Sequence, residues 1–314
     1  MKNEISPLVS IICTAYNHEN YIKGALEGFV NQNTNFPFEI IVHDDASSDN
    51  TASLIREYEI KYPNLFIAIY QTENQYSKGN GDVGKIIFGA AKGKYIAICE
   101  GDDYWTDPFK LQKQVDFLEC NIEFGAVFTD ADLLYESSGK IIKNYDKQFN
   151  RKVPTGNVFD ILLYDNPYKT CTSLFRKSLL ENMNYTFLID NKFQLGDKII
   201  WLHIAMNSKI GYFPQTTSVY RVLSTSASHF EKIEDLKLFH ENSLLISKLF
   251  AKNYNISFSE AYYRNLINKS ILTKLVESGN YLEALMFIKN PFKLISIIIK
   301  EKVLRKIFLI IKTQ

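Results

Sequence analysis

"YIAICEGDDYW", Tyr95–Trp105, joins a short apolar run directly to three carboxylates and two aromatic side chains. The apolar part, which ends at Cys99, is typical of a buried strand. Glu100, Asp102 and Asp103 follow it within four residues, and like charges so close together repel one another. Stability alone gives no reason to collect them there, so the segment predicts a strand whose end carries a site for positive charge.

Strand and helix patterns alternate in the part of the chain before this segment. Apolar runs rich in β-branched residues indicate buried strands at Leu8–Ala15, Phe38–Asp45 and Leu65–Tyr70. Apolar residues at helical spacing lie between these runs and after them, at Asn20–Gln32, Thr51–Tyr62 and Val83–Ala91. This alternation predicts an α/β fold with a mostly parallel sheet flanked by helices.

Such a sheet would bring together polar residues that are far apart in the chain. Ligands bind open α/β sheets in the crevice beyond the carboxyl ends of the strands. The predicted strands end in polar groups at Thr14–Asn17, Asp44–Asp45 and Glu100–Asp103. We therefore expect these three groups to meet at one edge.

The pattern is less regular after Phe109. Strand candidates are Phe124–Ala131, Lys169–Lys177 and the two neighbouring runs "KIGYF" and "TSVYRV", and Leu195–Asn207 is a strong helix. From about residue 230 the pattern is almost entirely helical. We therefore expect an α/β domain over residues 1–229 and a helical C-terminal region over residues 230–314.

The acidic residues after Cys99 have several possible uses. Asp107 precedes Pro108 and is a good cap for the helix predicted to begin at Phe109. Asp102 and Asp103 have no such structural role. With Glu100 they suit Mg²⁺ or Mn²⁺, which take oxygen ligands and often keep substrate phosphates in the coordination shell. The alternative is a solvated acidic loop.

Four segments, in this order, carry a resemblance to a known family: "VSIICTAYNHENYI", "IIVHDDASSDNT", "AKGKYIAICEGDDYWTDPFKLQKQ" and "LGDKIIWL". Over roughly residues 6–225 the chain resembles family 2 glycosyltransferases of the GT-A fold. The resemblance implies a mixed, mostly parallel sheet and transfer of a sugar from a nucleotide diphosphate to an acceptor hydroxyl. It also implies inversion at the sugar and a requirement for Mn²⁺ or Mg²⁺.

The resemblance implies that the first two loops bind the nucleotide of the donor. Thr14, Tyr16 and Asn17 correspond to the nucleotide-facing loop, in which the aromatic ring packs against the base, although Tyr16 could simply pack on the protein. Asp45 corresponds to the acid that accepts a hydrogen bond from the base. A carboxylate acceptor needs a ring N–H, which uracil has and neutral cytosine lacks, so UDP is favoured, with dTDP or GDP possible.

Roles for the remaining polar residues also follow from the resemblance. Asp103 would bind the metal, and Asp102 would contact the ribose or the donor sugar. Lys78 lies where the family often has a basic residue near the diphosphate, although a surface lysine is the more ordinary interpretation. Asp197 lies where the family keeps the base that deprotonates the acceptor, but it could instead cap the helix that follows.

Three other residues have two interpretations each. Trp105 could line the acceptor side of the site or belong to the core. Either Arg221 or His229 could supply the basic group that family members often place near the phosphates, in a loop whose Ser and Thr content is also ordinary loop chemistry.

The C-terminal tail, residues 292–314, is both basic and apolar. From Lys289 to Gln314 there are seven Lys or Arg residues and one Glu. Its helical projection separates an apolar face from a charged one, which is typical of a helix lying on an anionic membrane surface. A helix docked on the protein's own core, or in a dimer contact, is the alternative.

Bulk composition excludes some classes of protein. A net charge of +1 gives no overall attraction to nucleic acid, and four widely spaced cysteines without a CxxC pair favour reduced cytosolic thiols. No apolar run reaches the roughly 18 residues of a spanning helix. We expect a cytoplasmic protein that the tail could attach to the inner face of the membrane.

The prediction is therefore a metal-dependent, inverting transferase that moves a sugar from a UDP-sugar to a glycan or lipid-linked glycan acceptor. Its product would be a surface polysaccharide or lipid-linked glycan. A sugar nucleotidyltransferase is an alternative, but "TAYNHENY" lacks the Gly-rich basic loop that binds a triphosphate. A non-catalytic nucleotide-sugar-binding scaffold is the other alternative, which the four intact acids Asp45, Asp102, Asp103 and Asp197 oppose.

Overall fold

The computed structural model describes residues 6–78, 82–181, 183, 196–223, 230 and 232–288. The chain divides into two compact units, Met1–Leu223 and Ser224–Gln314. The sequence patterns place this boundary slightly later, between residues 229 and 230.

The first half of the first unit contributes the parallel part of a mixed sheet. Its strands are β1 Val9–Ala15, β2 Phe38–Asp44, β3 Phe66–Tyr70 and β4 Tyr95–Ile98. Strand β1 is central and pairs in parallel with both β2 and β4, while β3 pairs in parallel with β2. β1 is almost completely buried, because helices cover both faces of a parallel sheet, and this explains its uninterrupted apolar sequence.

The second half of this unit extends the sheet mainly by antiparallel pairing. Its strands are β5 Tyr104–Trp105, β6 Phe124–Tyr135, β7 Lys140–Ile142, β8 Leu174–Arg176 and β9 Lys209–Val222. The order among the described strands is β3-β2-β1-β4-β8-β6-β9-β5, with β7 beside β6. Among the described strands of this half, β6 and β9 are the one parallel pair. The predicted mixed sheet is confirmed, and its parallel character is concentrated in the first half.

Helices connect the strands and cover the sheet. Those in the first unit are α1 Ile22–Val30, α2 Thr51–Lys61, α3 Asp82–Ala90, α4 Lys110–Cys120, α5 Tyr145–Gln148, α6 Phe159–Leu162, α7 Ser178–Glu181 and α8 Gly196–Asn207. Helix α1 shows why these segments fold as they do. It buries Ile22, Ala25, Leu26 and Phe29, whose spacing of three, four and seven residues forms one apolar stripe.

The second unit is helical in its described part, as the sequence predicts. It contains α9 Ile233–Asn253, α10 Glu260–Glu277 and α11 Tyr281–Ile288. The Ser259 hydroxyl accepts the Tyr262 N–H at 3.2 Å and caps the start of α10. Gly279, with φ of +78°, follows the end of α10. No described helix has both the length and the hydropathy to cross a membrane, and the tail at residues 292–314 lies outside the described residues.

Candidate active site

Hydrogen bonds between loops bring the three polar strand ends together. The Asp45 N–H donates to the Ala15 carbonyl at 2.9 Å, and the Gly101 N–H donates to the Thr14 carbonyl at 2.9 Å. These bonds continue the pairing of β1 with β2 and β4 just beyond the strands themselves. Thr14, Asp45 and the acids that follow β4 therefore lie at one edge of the sheet, as the topology predicted.

The loops after β1 and β2 are held together by a second set of bonds. The Asn17 side-chain oxygen accepts the Ser48 N–H at 2.8 Å, and the Asn17 N–H donates to the Ser47 hydroxyl at 2.9 Å. Asn17 and Ala46 have φ of 55° and 62°, a left-handed conformation that costs an L-residue about 1–2 kcal/mol. Such strain is commonly kept at functional sites. Beside Asn17, the Tyr16 side chain is 47% exposed.

Asp45 is almost buried, and both of its carboxylate oxygens accept hydrogen bonds. The donors are the backbone N–H groups of Gln75 at 2.7 Å and Tyr76 at 2.9 Å. Each carboxylate oxygen has a second lone pair, so a further donor such as a base N–H can still be accepted. The contact also fixes the segment that follows β3 against the end of β2.

Lys78, on that same segment, has partners of its own. Its ammonium group lies 2.9 Å from the Glu73 carboxylate and 3.2 Å from the Gln75 side-chain oxygen. The structure therefore pairs Lys78 with its own loop, and it does not bring the ammonium group to the site acids.

Asp103 is the most deeply buried of the three acids after β4, with 3% of its surface exposed. One of its oxygens accepts the Arg221 backbone N–H at 2.7 Å, and the buried Cys171 side chain is a neighbour that acts to lower its pKa. Burial, followed by the charges of Asp102 and Glu100, raises the pKa of Asp103 well above its usual value. Neither Cys171 nor the Arg221 backbone was predicted as part of this cluster.

Asp197 lies close to the same cluster. Burial, then the charges of Asp102 and Asp197, raise the pKa of Glu100 to about 8. Burial and the Asp197 charge likewise raise the pKa of Tyr76. Asp197 therefore acts electrostatically on the acids after β4 and on the segment held by Asp45. Asp197 is therefore within electrostatic range of Glu100 and of Tyr76, whose backbone N–H donates to Asp45.

The hydrogen bonds of Asp197 leave both of its predicted roles open. Asp197 lies in the first turn of α8, where one oxygen accepts the N–H of the next residue, Lys198, at 2.7 Å, and the other accepts the Thr170 hydroxyl at 3.4 Å. Burial raises the pKa of Asp197 against the opposing effect of these bonds. A raised pKa suits a general base working near neutral pH. Thr170 was not predicted as part of the site.

The acids fit a divalent cation that keeps several non-protein ligands. Within the described ranges, no three His, Cys, Asp or Glu side chains are arranged as a metal cage. Mg²⁺ and similar ions, however, usually take one or two carboxylates and complete their shell with water and substrate phosphates. The mutual repulsion of Glu100, Asp102 and Asp103 is the uncompensated charge that such an ion would neutralise.

Trp105 belongs to the core. It is 4% exposed, its ring centroid lies 4.8 Å from that of Phe29, and its indole N–H donates to the Cys171 carbonyl at 2.8 Å. Of its two interpretations, the one that places it along the acceptor side is wrong. Asp107 accepts the Phe109 N–H at 2.9 Å, in agreement with its predicted role at the start of α4.

Arg221 reaches the site through its backbone, and its guanidinium group is engaged elsewhere. The guanidinium pairs with Glu136 at 2.9 Å and lies about equally far from two rings, 5.1 Å from Tyr21 and 5.0 Å from Tyr104. Arg221 therefore positions Asp103, and its charge is directed away from that carboxylate. His229, the other candidate, lies outside the described residues.

Comparisons with known proteins identify the family. The family described as "Glycosyl transferase family 2" matches residues 10–183. An uncharacterized glycosyltransferase of Haemophilus influenzae is 28% identical over 289 residues, covering 89% of this chain and 81% of that protein. An uncharacterized Mycobacterium bovis protein is 36% identical over 213 residues, or 68% of this chain, and this chain spans only 58% of that relative's length.

A relative with a specific name covers a smaller region. The Escherichia coli UDP-Glc:alpha-D-GlcNAc-diphosphoundecaprenol beta-1,3-glucosyltransferase is 37% identical over 117 residues, covering 37% of this chain and 43% of that protein.

Two solved structures show the same fold at low identity. S. aureus TarS in complex with UDP-GlcNAc gives a TM-score of 0.54 at 19% identity, covering 86% of this chain and 72% of that one. The Pyrobaculum calidifontis mannosyltransferase in complex with GDP-Man and Mn²⁺ gives a TM-score of 0.56 at 17% identity, and the match covers 96% of this chain and 81% of that one. The first unit thus has the GT-A fold, and the chain belongs to glycosyl transferase family 2.

Proposed function

We propose that this chain is a metal-dependent, inverting glycosyltransferase that moves a sugar from a UDP-sugar to an acceptor hydroxyl. The observation that carries the proposal is the meeting of Asp45, the acids after β4 and Asp197 at one edge of the sheet in a chain of this family. The E. coli relative, by its name, uses UDP-Glc and a diphosphoundecaprenol-linked sugar. This supports synthesis of a surface polysaccharide or lipid-linked glycan.

In this proposal, the loops after β1 and β2 bind the nucleotide. The exposed ring of Tyr16 stacks on the base, and Asp45 accepts the base N–H through a lone pair that Gln75 and Tyr76 leave unused. Thr14 and Asn17 complete this end of the site. Uracil supplies the required N–H and neutral cytosine does not, so UDP-sugars are favoured over CMP-sugars.

The acids after β4 hold the diphosphate end of the donor. Asp103 would bind Mn²⁺ or Mg²⁺, and Asp102 would contact the ribose or the donor sugar. When bound, the ion supplies Lewis-acid stabilisation of the negative charge on the departing diphosphate. Lys78 could assist there only after its ion pair with Glu73 opens. The Arg221 backbone N–H keeps Asp103 oriented.

Asp197 acts as the base. It takes the proton of the acceptor hydroxyl while the acceptor oxygen attacks the anomeric carbon, and the bond from that carbon to the diphosphate oxygen breaks on the opposite face. The electron pair of the broken bond leaves with the diphosphate, and the configuration at carbon is inverted. The Thr170 hydroxyl, hydrogen-bonded to Asp197, restrains the carboxylate in the position from which it receives the proton.

We also propose a GT-A domain over residues 1–229, a helical region over residues 230–314 and a cytoplasmic location. Membrane attachment through residues 292–314 would suit a lipid-linked acceptor. Deletion of residues 292–314 should reduce co-sedimentation with anionic liposomes, and unchanged binding would contradict the attachment.

A panel of nucleotide sugars tests the function. With Mn²⁺ present, UDP-sugars should raise the melting temperature of the protein and undergo slow hydrolysis, and removal of the metal with a chelator should abolish both effects. GDP- and dTDP-sugars serve as competitors that also carry a ring N–H. Preference for CMP-sugars would contradict the role of Asp45, and metal-independent hydrolysis would contradict the role of Asp103.

A further inference from the structure

The segment Lys140–Lys152, here called the basic face, contains an unusual concentration of positive charge. Its sequence, "KIIKNYDKQFNRK", has five basic residues and one acid. It runs through β7, the short helix α5 and the first residues after α5. The chain as a whole has nearly equal numbers of acids and bases, so this concentration is local.

Three buried acids hold the basic face from its inner side. Asp132 pairs with Lys143 at 2.6 Å. Asp146 pairs with Arg151 at 3.0 Å and accepts the hydroxyl of Tyr212 at 3.0 Å. A third acid, Asp130, accepts the backbone N–H groups of residues 131, 146 and 147. The three acids are thus buried and engaged in hydrogen bonds or ion pairs that hold this segment, while the exposed lysines lie on its outer side.

The outer side of this segment combines exposed cations with exposed apolar groups. The Lys143 side chain is 65% exposed even though it is paired, and Lys147 and Lys152 are also exposed. Ile141 and Phe149 are 44% and 39% exposed. A row of lysines alone is ordinary on a protein surface. Lysines interspersed with a large aliphatic and an aromatic side chain have the composition of a surface that enters a lipid headgroup region.

The basic face lies on the side of the site that holds Asp197. Asp132, which anchors it, is opposite Val219 in the pairing of β6 with β9, and Val219 is opposite Tyr104, the residue after Asp103. Lys169 pairs with the anchoring acid Asp146 at 3.6 Å. The next residue along the chain is Thr170, whose hydroxyl contacts Asp197. The loops proposed to bind the nucleotide follow β1 and β2, which β4 and β8 separate from β6 in the sheet.

We propose that the basic face is a docking surface for an anionic lipid membrane. Its positive charge matches the negative surface potential of such a membrane, which contributes about 1 kcal/mol per nearby basic residue. Ile141 and Phe149 favour a lipid surface over a nucleic acid or an anionic polymer, because those ligands offer no apolar layer. This segment is a different part of the chain from residues 292–314, and its docking would turn the Asp197 side of the site toward the membrane.

Charge reversal in the full-length protein tests the proposal. Lys147→Glu with Lys152→Glu is compared with Lys61→Glu and Lys92→Glu, which change the charge equally. The control lysines are exposed and lie just before β3 and β4, at the opposite end of the sheet. Co-sedimentation is measured with vesicles of phosphatidylcholine, alone or mixed with phosphatidylglycerol. We expect wild type to bind only the mixed vesicles, and the first pair to lose at least about tenfold in binding.

The control pair should bind as wild type does. Equal losses in both pairs would show a general charge effect, and no loss in the first pair would assign membrane binding to another segment, such as the tail. Either result overturns the proposal. Unchanged donor hydrolysis by the first pair shows that the fold is intact.

A tryptophan probe tests contact directly. The native Trp105 and Trp201 are 4% and 0% exposed, so a change in the emission spectrum on adding vesicles can be assigned to a new surface tryptophan. Fluorescence of Phe149→Trp should shift to shorter wavelength when anionic vesicles are added. Ile122→Trp, at a position 86% exposed and just before β6, should not shift. Equal shifts, or no shift at residue 149, would overturn the proposal, as would binding of an anionic polymer in preference to vesicles.

Discussion

Gly101 lies between the acids Glu100 and Asp102 at a position where a side chain has no room. A Cβ atom there would be 2.8 Å from Ile22 Cδ1, 2.9 Å from His18 Nδ1 and 3.2 Å from Ala15 Cβ. Ordinary carbon contacts are about 3.5–4.0 Å, so Gly101→Ala requires the loop or α1 to move by about 0.7 Å or more. Overpacking of this kind costs about 1–3 kcal/mol.

The same displacement moves the carboxylates on either side of Gly101. We therefore expect Gly101→Ala to lower both the free energy of unfolding, measured in urea, and the apparent Mn²⁺ affinity, measured by the metal dependence of donor hydrolysis. Ile22→Val removes Cδ1, the nearest of the clashing atoms, and by itself should cost about 1 kcal/mol.

The double variant tests the steric explanation. Its loss of unfolding free energy should be smaller than the sum of the two single losses by about 0.5 kcal/mol or more, because the valine relieves part of the clash. It should also recover part of the Mn²⁺ affinity. Strict additivity, or a Gly101→Ala variant as stable and as active as wild type, would refute the reasoning.

Three further predictions concern other parts of the site and core. Asp197→Asn should leave UDP-sugar affinity unchanged in calorimetry and lower transfer by about 10²-fold or more, whereas equal loss of both would make Asp197 structural. Tyr16→Ala should weaken UDP binding about tenfold while Tyr16→Phe does not, because a stacked ring contributes about 1–3 kcal/mol; equal effects would contradict stacking. Burial lowers the pKa of Lys110 to about 7 from an ordinary 10.5. Between pH 7 and pH 10.5 only the unfolded chain therefore binds this proton, and the free energy of unfolding rises by about 1.4 kcal/mol per pH unit. Urea unfolding of Lys110→Met should lack this rise, and parallel pH profiles would show that the lysine is charged in the fold.

The parallel half of the sheet could be predicted because its signals are local. β1, β2 and β4 are continuous apolar runs, and the carboxyl ends of such strands must share an edge. These signals are enough to predict that Thr14, Asp45 and the acids after β4 lie together. The proximity of Asp197 to them was expected only through the family resemblance, since residues so distant in sequence carry no local signal of contact.

Contacts between distant backbone groups could not be predicted from sequence. Asp103 is held by the Arg221 N–H and lies beside Cys171, and both residues come from segments with no distinctive pattern. Trp105 was ambiguous because an aromatic after an acidic loop fits either a site or a core. The burial of its side chain and the packing of its ring against Phe29 decide the matter.

Strand β9 illustrates another limit. The sequence suggested two short runs interrupted at Pro214, whereas the structure has one strand, Lys209–Val222. Proline cannot donate to a sheet ladder and is tolerated at a bulge. The register shifts here, with Phe213 opposite Thr129 and Thr216 opposite Asp130.

The Asp45 carboxylate, bonded to the amides of Gln75 and Tyr76, has a consequence for protein engineering. Asp45, the residue proposed to recognise the nucleobase of the donor, also holds the segment that carries Tyr76. The charge of Asp197 in turn raises the pKa of that tyrosine. A substitution of Asp45 meant to change the preferred nucleotide would release the segment that carries Tyr76. It would thereby also disturb the surroundings of Asp197, the proposed general base. In the proposed mechanism, donor preference and turnover are therefore linked, and changing the preferred nucleotide without losing turnover requires a replacement side chain that still accepts both amide N–H groups.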